Sequence, residues 1–197
     1  MNGNKKSLTN EERITLNRRL AESYFIAYEK KIVKDGASYD DWKFADHADY
    51  LSPYFGNQII DLNKYPISVK DSATLEALSY SIEFPDWAIL DFECWPAVEG
   101  AAWKSHFGGH RKDNGEFMDF YAYSYIKTNK FGEITHWETH VNSDYNDFLD
   151  IAIGEHGPYK NGTDAYMAAV IGKLKSAGID IASVMHKNNT KASIPNE

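Results

Sequence analysis

Between Asp86 and Asn142 the chain alternates polar and apolar residues in four successive runs, and that pattern fits half-buried strands better than helices. The runs are Asp86 to Trp95, Ala101 to His110, Gly115 to Thr128 and Ile134 to Asn142. Turn residues separate them. Lys112-Asp113-Asn114-Gly115 reads as a hairpin turn because Asn-Gly takes positive φ at little cost, and Asn129-Lys130-Phe131-Gly132 reads as another. The segment therefore predicts an antiparallel meander. Around it the grammar is helical. Thr9 or Asn10 caps a helix carrying Leu16, Leu20, Tyr24 and Tyr28 at helical spacing, expected to reach Val33 before Lys34-Asp35-Gly36 stops it. Ser38 or Asp40 opens a short helix through Trp42 to Ala45, Tyr50 to Gly56 reads as a short strand, and Asp71 to Leu78 as a helix. Residues 57–70 give no clear pattern. Helical segments follow at 143–153 and 163–177. Helices first and then a run of strands imply α+β: a bent sheet with helices on one face.

With 197 residues the expectation is a flexible N-terminus over 1–10, one domain over 11–180 and a polar tail over 181–197. The formal charge of -8 argues against a nucleic-acid partner and an anionic membrane surface, since phosphate binding needs clustered Lys and Arg. No apolar run spans a bilayer, and MNGNKKSLTNEER has no apolar signal-peptide core. Cys94 is the only cysteine, so the chain forms no internal disulfide. The cytoplasm is the expected compartment. No basic residue adjoins Cys94 to activate it, so it reads as core.

Four stretches carry a resemblance. Phe44-Ala45-Asp46-His47-Ala48-Asp49-Tyr50-Leu51-Ser52-Pro53 is similar to the F-A-D-D-A-V-Y-x-x-P segment of the SnoaL-like polyketide cyclases. Phe84-Pro85-Asp86-Trp87 and Phe107-Gly108-Gly109-His110 resemble that group's F-P-D and G-T-H strand motifs. Phe131 to Asn142, FGEITHWETHVN, resembles its D-G-K-I-x-x-W-x-x-x-x-D strand. The resemblance spans residues 11–155 and places the chain with the nuclear-transport-factor-2-like superfamily. It implies a cone-shaped fold, a curved antiparallel sheet packed on N-terminal helices, with a small-molecule pocket inside. It also implies acid–base chemistry on an apolar organic substrate (cyclisation, isomerisation or dehydration), no metal or organic cofactor, and a homodimer. The sequence departs from the pattern at His47, where the family has Asp, and at Asn142, where many relatives have a terminal Asp. The carboxylate of the related phenazine-type strand stands one place away, at Glu138. These departures keep open a non-catalytic binding or dimerisation module of the same fold.

His110 is the leading candidate acid or base, because it follows two glycines on a strand, where backbone crowds a ligand. Asp46 and His47, side by side at an expected helix end, are its candidate partners. His106 shares parity with His110. Asp119, Tyr121 and Tyr123 share one stripe on the third strand, and a tyrosine hydroxyl there is a candidate oxyanion donor. Tyr50, Trp87, Trp103 and Trp137 are candidate walls. The last strand divides by parity. Hydrophobicity turns Trp137 and Val141 inward and His136, Glu138, His140 and Asn142 outward; matching Asn142 to the family's terminal Asp turns Glu138 and His140 inward as an acid–base pair. A metal at His136, Glu138 and His140 is disfavoured, since the outer two residues stand about 13 Å apart along a strand.

Overall fold

A computed structural model of the chain describes residues 5–28, 37–52, 59–154 and 162–185. Helix α1 spans Asn10–Ser23 and starts on a reciprocal cap. The Glu12 amide donates to Thr9 Oγ1 at 3.2 Å and the Thr9 amide donates to Glu12 Oε2 at 2.7 Å. A 3-10 turn, Tyr24–Ala27, extends it. The expected continuation to Val33 and the stop at Gly36 lie outside the described residues.

One expectation is corrected in the next segment. The chain makes only a 3-10 turn at Tyr39–Asp41, capped by Ser38 Oγ. It is already extended in strand β1, Phe44–Leu51. Asp46 and His47 thus stand in mid-strand and exposed, not at a helix end. The reason is non-local: β1 lies parallel to the last strand, with Phe44 opposite Ile134 and Tyr50 opposite Trp137, and this pairing overrides local propensity. Strand β2, Ile59–Asp61, pairs antiparallel with β1. The rest of the expected 50–56 strand, from 53 on, lies outside the described residues.

Helix α2, Val69–Glu83, is longer than the sequence suggests and takes Ser68 as its cap. Strands β3 (Ala88–Ala97), β4 (Gly100–His110), β5 (Phe117–Thr128) and β6 (Ile134–Val141) form the expected meander. Gly115 and Gly132 take φ of +74° and +78° in its turns. The sheet order is β2-β1-β6-β5-β4-β3, antiparallel throughout except for β1 against β6, so the sheet is mixed. Helices α3 (Asp144–Ile153), α4 (Gly162–Ser176) and α5 (Ile181–Val184) complete the described chain. The architecture is α+β.

Parity sets what the sheet shows to its helices. Trp103, Ser105 and Phe107 on β4 and Phe120, Ala122, Ser124 and Ile126 on β5 are buried. Helix α1 lies on β3 and β4, α3 lies on β5, and α2 bridges to α3 and α4. At one end the gap is filled by aromatic rings. Trp87 stacks on Phe107 (5.7 Å, 6°) and on Phe148 (4.5 Å, 24°). At the other end the gap stays open.

Candidate active site in the cone

Two cavities occupy that open end. The outer one, about 450 Å³, lies between β1, the loop before α2, α2 itself and α4. The inner one, about 80 Å³, runs deeper along β4, β5 and β6. Tyr24, Tyr50, Glu76 and Tyr166 belong to the walls of both, so they stand where the two meet. The outer volume suits a small organic ligand; the inner one has room for a substituent or a water or two.

Among the described residues Glu76 is the one carboxylate on these walls. Its Oε2 accepts from Tyr24 Oη at 3.2 Å and from Tyr28 Oη. Burial pushes its carboxyl above the ordinary range; the hydroxyls of Tyr28, Tyr24 and Tyr166 favour the ionised form and only partly offset this. Burial also drives the phenols of Tyr24, Tyr28, Tyr80 and Tyr166 well above their ordinary value, so they remain neutral donors. The hydroxyl network continues from Tyr166 to Tyr80 and on to Tyr145, with 3.0 Å between the last two oxygens. On the sheet side Ser124 and Thr139 hydroxyls meet at 2.9 Å. Ser105 Oγ, in the inner cavity, and Trp137 Nε1, on the outer wall, are buried atoms with no protein partner.

The strand motifs point to a site elsewhere, and the structure scatters their residues. Tyr50, Trp103 and Trp137 do line the cavities, with the Tyr50 and Trp137 rings 4.7 Å apart. Trp87 is in the packed aromatic core and lines neither. Asn142 follows β6, accepting from the Tyr121 amide at 3.0 Å and donating to Asp144 at 2.7 Å. His106, His110, Asp119, Tyr121, Tyr123, Glu138 and His140 lie on the opposite face of the sheet, and Asp46 and His47 are exposed on β1. His110 is not brought together with Asp46, His47 or Asp119: its side chain is 57% exposed, and its Nδ1 pairs with Asp86 at 2.7 Å. On β4 the odd positions Trp103, Ser105 and Phe107 face inward, and His106 and His110 have the other parity.

That outer face holds its own network. Trp137, Thr139 and Val141 turn inward, and His136, Glu138 and His140 turn outward, as hydrophobicity suggests. Glu138 accepts from Tyr125 Oη and lies 3.2 Å from His136 Nε2 and 2.6 Å from His140 Nε2; His136 Nδ1 meets Asp49 at 2.6 Å. Nearby, His106 pairs with Asp119 at 2.6 Å and stacks on Tyr121 at 4.3 Å, while Tyr123 stands exposed. The two imidazoles of β6 lean onto one carboxylate despite their strand spacing. Still, among the described residues no cluster of His, Cys, Asp or Glu is arranged to hold a metal ion.

The Tyr125 hydroxyl, helped by His136 and His140, holds the Glu138 carboxyl down at about 2. The group is 15% exposed, so the shift reports a real folded-state interaction, worth roughly 2–3 kcal/mol. A depressed carboxyl stabilises the fold above its unfolded pKa and loses that contribution as the pH falls towards 2. Glu138→Gln is expected to lower stability at pH 7, with the difference from wild type shrinking to nothing near pH 2. Urea unfolding at both pH values measures it.

Glu76 is marked by no strand motif and no neighbouring histidine. The available signal is a single acidic residue inside the apolar stretch Ala73-Thr74-Leu75-Glu76-Ala77-Leu78.

No family model matches the chain, and no curated protein matches it. Solved structures do. A protein from Jannaschia sp. CCS1 described as a SnoaL-like polyketide cyclase is 12% identical, covering 76% of this chain and 97% of its own, with a TM-score of 0.44. A phenazine-biosynthesis-related protein from Pseudomonas aeruginosa is 12% identical over 77% of this chain and 90% of its own, TM-score 0.43. A steroid delta-isomerase from Pseudomonas aeruginosa is 13% identical over 87% and 98%, TM-score 0.38. These are likenesses of overall fold; the chemistry of the cavity rests on this chain's own side chains.

Proposed function

We propose that the chain binds a small, largely apolar organic molecule in the cone and moves a proton on it, with Glu76 as the proton-transfer group. The class of reaction is cyclisation, isomerisation or dehydration. The observation that carries the reading is the position of Glu76. A half-buried carboxyl with a raised pKa stands at the junction of two cavities, among neutral phenols. A carboxyl shifted upward toward neutrality is a better general base than one at its ordinary value. Neutral phenols beside it are suited to donate to an oxygen that gains negative charge. The role sought on His110 passes to Glu76, because His110 faces solvent on the other side of the sheet.

Hydrogen–deuterium exchange tests this whatever the product. Wild-type protein in D2O is incubated with a panel of apolar ketones and hydroxy-ketones, and loss of the α-proton signal is followed by NMR. Catalysed exchange is expected for at least one class. Glu76→Gln is expected to slow it by about 10²–10⁴, the usual range for a general base. Exchange unchanged in that variant would remove Glu76 from the chemistry. Binding without exchange would favour a second reading, a non-catalytic binding module. That reading has its own support, since the Tyr24 and Tyr28 hydroxyls already occupy the Glu76 carboxylate.

A further inference from the structure

The walls of the outer cavity are unbalanced in charge. Glu76 is acidic, and among the described residues lining either cavity the single basic one is Lys64 at the rim. Lys64 has its own partner, Asp61, at 2.8 Å. No Arg or His lines either cavity among the described residues. The carboxylate is solvated by phenol hydroxyls, which are dipoles and cancel no charge. An ionised carboxylate in such a site is commonly paired with a cation; here, among the described residues, the protein supplies none.

The remaining surface is aromatic. Trp137 is the hub: its ring lies 5.3 Å from Tyr24 and 4.7 Å from Tyr50, inclined at 71° and 55°. Trp42 packs on the same indole at 5.2 Å and 64°, and Trp137, Tyr24 and Tyr50 all line the outer cavity. Tyr65 and Phe44 add further aromatic surface to the same cavity. Ring faces carry partial negative charge and attract a soft, weakly hydrated cation, tryptophan most strongly. An aromatic wall and an uncompensated carboxylate therefore present the same electrostatic sign to one space of about 450 Å³. The formal charge of the chain, -8, reinforces the attraction over longer range.

We propose that the outer cavity takes a ligand bearing a cationic nitrogen, an alkylammonium group seated against Trp137, Tyr24 and Tyr50 with Glu76 as its counter-ion. This rests on the cavity being the substrate site, and it narrows the substrate to an amine-bearing or quaternary-ammonium compound. In such a complex the carboxylate is paired and ionised, and the apolar part of the ligand points to the inner cavity, where Phe107, Phe120 and Ala122 lie.

Isothermal titration with two probes of equal shape tests it: choline and its neutral carbon isostere, 3,3-dimethylbutan-1-ol. Full-length wild-type protein at pH 8 is expected to bind choline at least about tenfold more tightly than the alcohol, the size of one modest cation–π and ion-pair gain. Glu76→Gln is expected to remove most of that preference while leaving the alcohol's affinity within about threefold. Should that variant fail to fold, Tyr50→Leu supplies the same readout, weakening choline more than the alcohol. Equal affinities for the two probes would overturn the proposed charge selectivity and leave the apolar pocket standing. Binding of neither would overturn it as well, along with the cavity as a site for compounds of this size. Absence of catalysed proton exchange in the wild-type protein, with the choline preference intact, would instead remove the catalytic reading alone.

Discussion

Replacing Gly100 by Ala is expected to cost more than about 3 kcal/mol and to leave little folded protein at physiological temperature. Gly100 opens β4 with φ at +157°, and a Cβ placed on it would sit 1.9 Å from the carbonyl oxygen and 2.9 Å from the carbonyl carbon of Ile126. Both are backbone atoms of the neighbouring strand, so no side chain can rotate aside. Nor can the turn retreat. Asn17 on α1 donates to the carbonyls of Ala97 and Val98 at 2.7 and 3.3 Å, and the Thr128 amide donates to Glu99 at 2.9 Å. The turn is thus held from the helix on one side and from β5 on the other. Far-ultraviolet circular dichroism and urea unfolding measure the loss. A variant as stable as wild type would mean that β4 and β5 separate at this end without penalty.

Phe148→Ala is the second large effect, expected at about 3–5 kcal/mol, with a fall in Tm of about 10 °C or more. Phe148 is wholly buried on α3. Its ring packs against Trp87 at 4.5 Å, Phe84 at 4.8 Å, Tyr80 at 5.0 Å and Phe120 at 5.1 Å. Four rigid rings relax poorly into a void, so most of the cavity cost remains. Two of the neighbours, Tyr80 and Phe120, also line the inner cavity. The same variant should therefore loosen the hydroxyl network between Tyr80 and Tyr166 and weaken ligand binding beyond what the stability loss explains. Differential scanning calorimetry gives the first quantity and titration of a bound probe the second.

The meander is legible in the sequence because its signals are local. Asn114-Gly115 and Gly132 mark turns that depend on φ at single residues, and the alternation of β4 and β5 is written in residues that touch across adjacent strands. Strand β1 is not legible. Its conformation depends on a parallel neighbour far along the chain, while Ser38, Asp40 and the following Phe44-Ala45 offer a plausible helix start locally. The walls of the site are partly legible. Tyr50, Trp103 and Trp137 are large aromatics on strands whose inner face follows from hydrophobicity. The acidic residue is not, because which side of α2 is buried depends on how its neighbours pack against it. The strand motifs also draw attention to His106, His110 and His140, which share strands with the inner wall but point the other way by parity alone.

The parallel contact between β1 and β6 has a consequence for how the protein is made. Phe44 waits for Ile134, far along the chain, and Asn17 waits for Ala97 and Thr128. During synthesis the first third of the chain therefore leaves the ribosome before the strands that its helix packs on, with only the contacts of α1 to residues 39–42 and of β1 to β2 within reach. Helix α1 keeps its apolar side exposed until β3 and β4 arrive. Tyr24 and Tyr50 approach Trp137 only after β6 has emerged. Nascent chains halted before residue 134 should be open to protease at the N-terminal helix and drawn to chaperones that hold apolar segments. The cavity is among the last parts of the molecule to exist, so a ligand cannot guide the early stages of folding and acts only by trapping the finished cone.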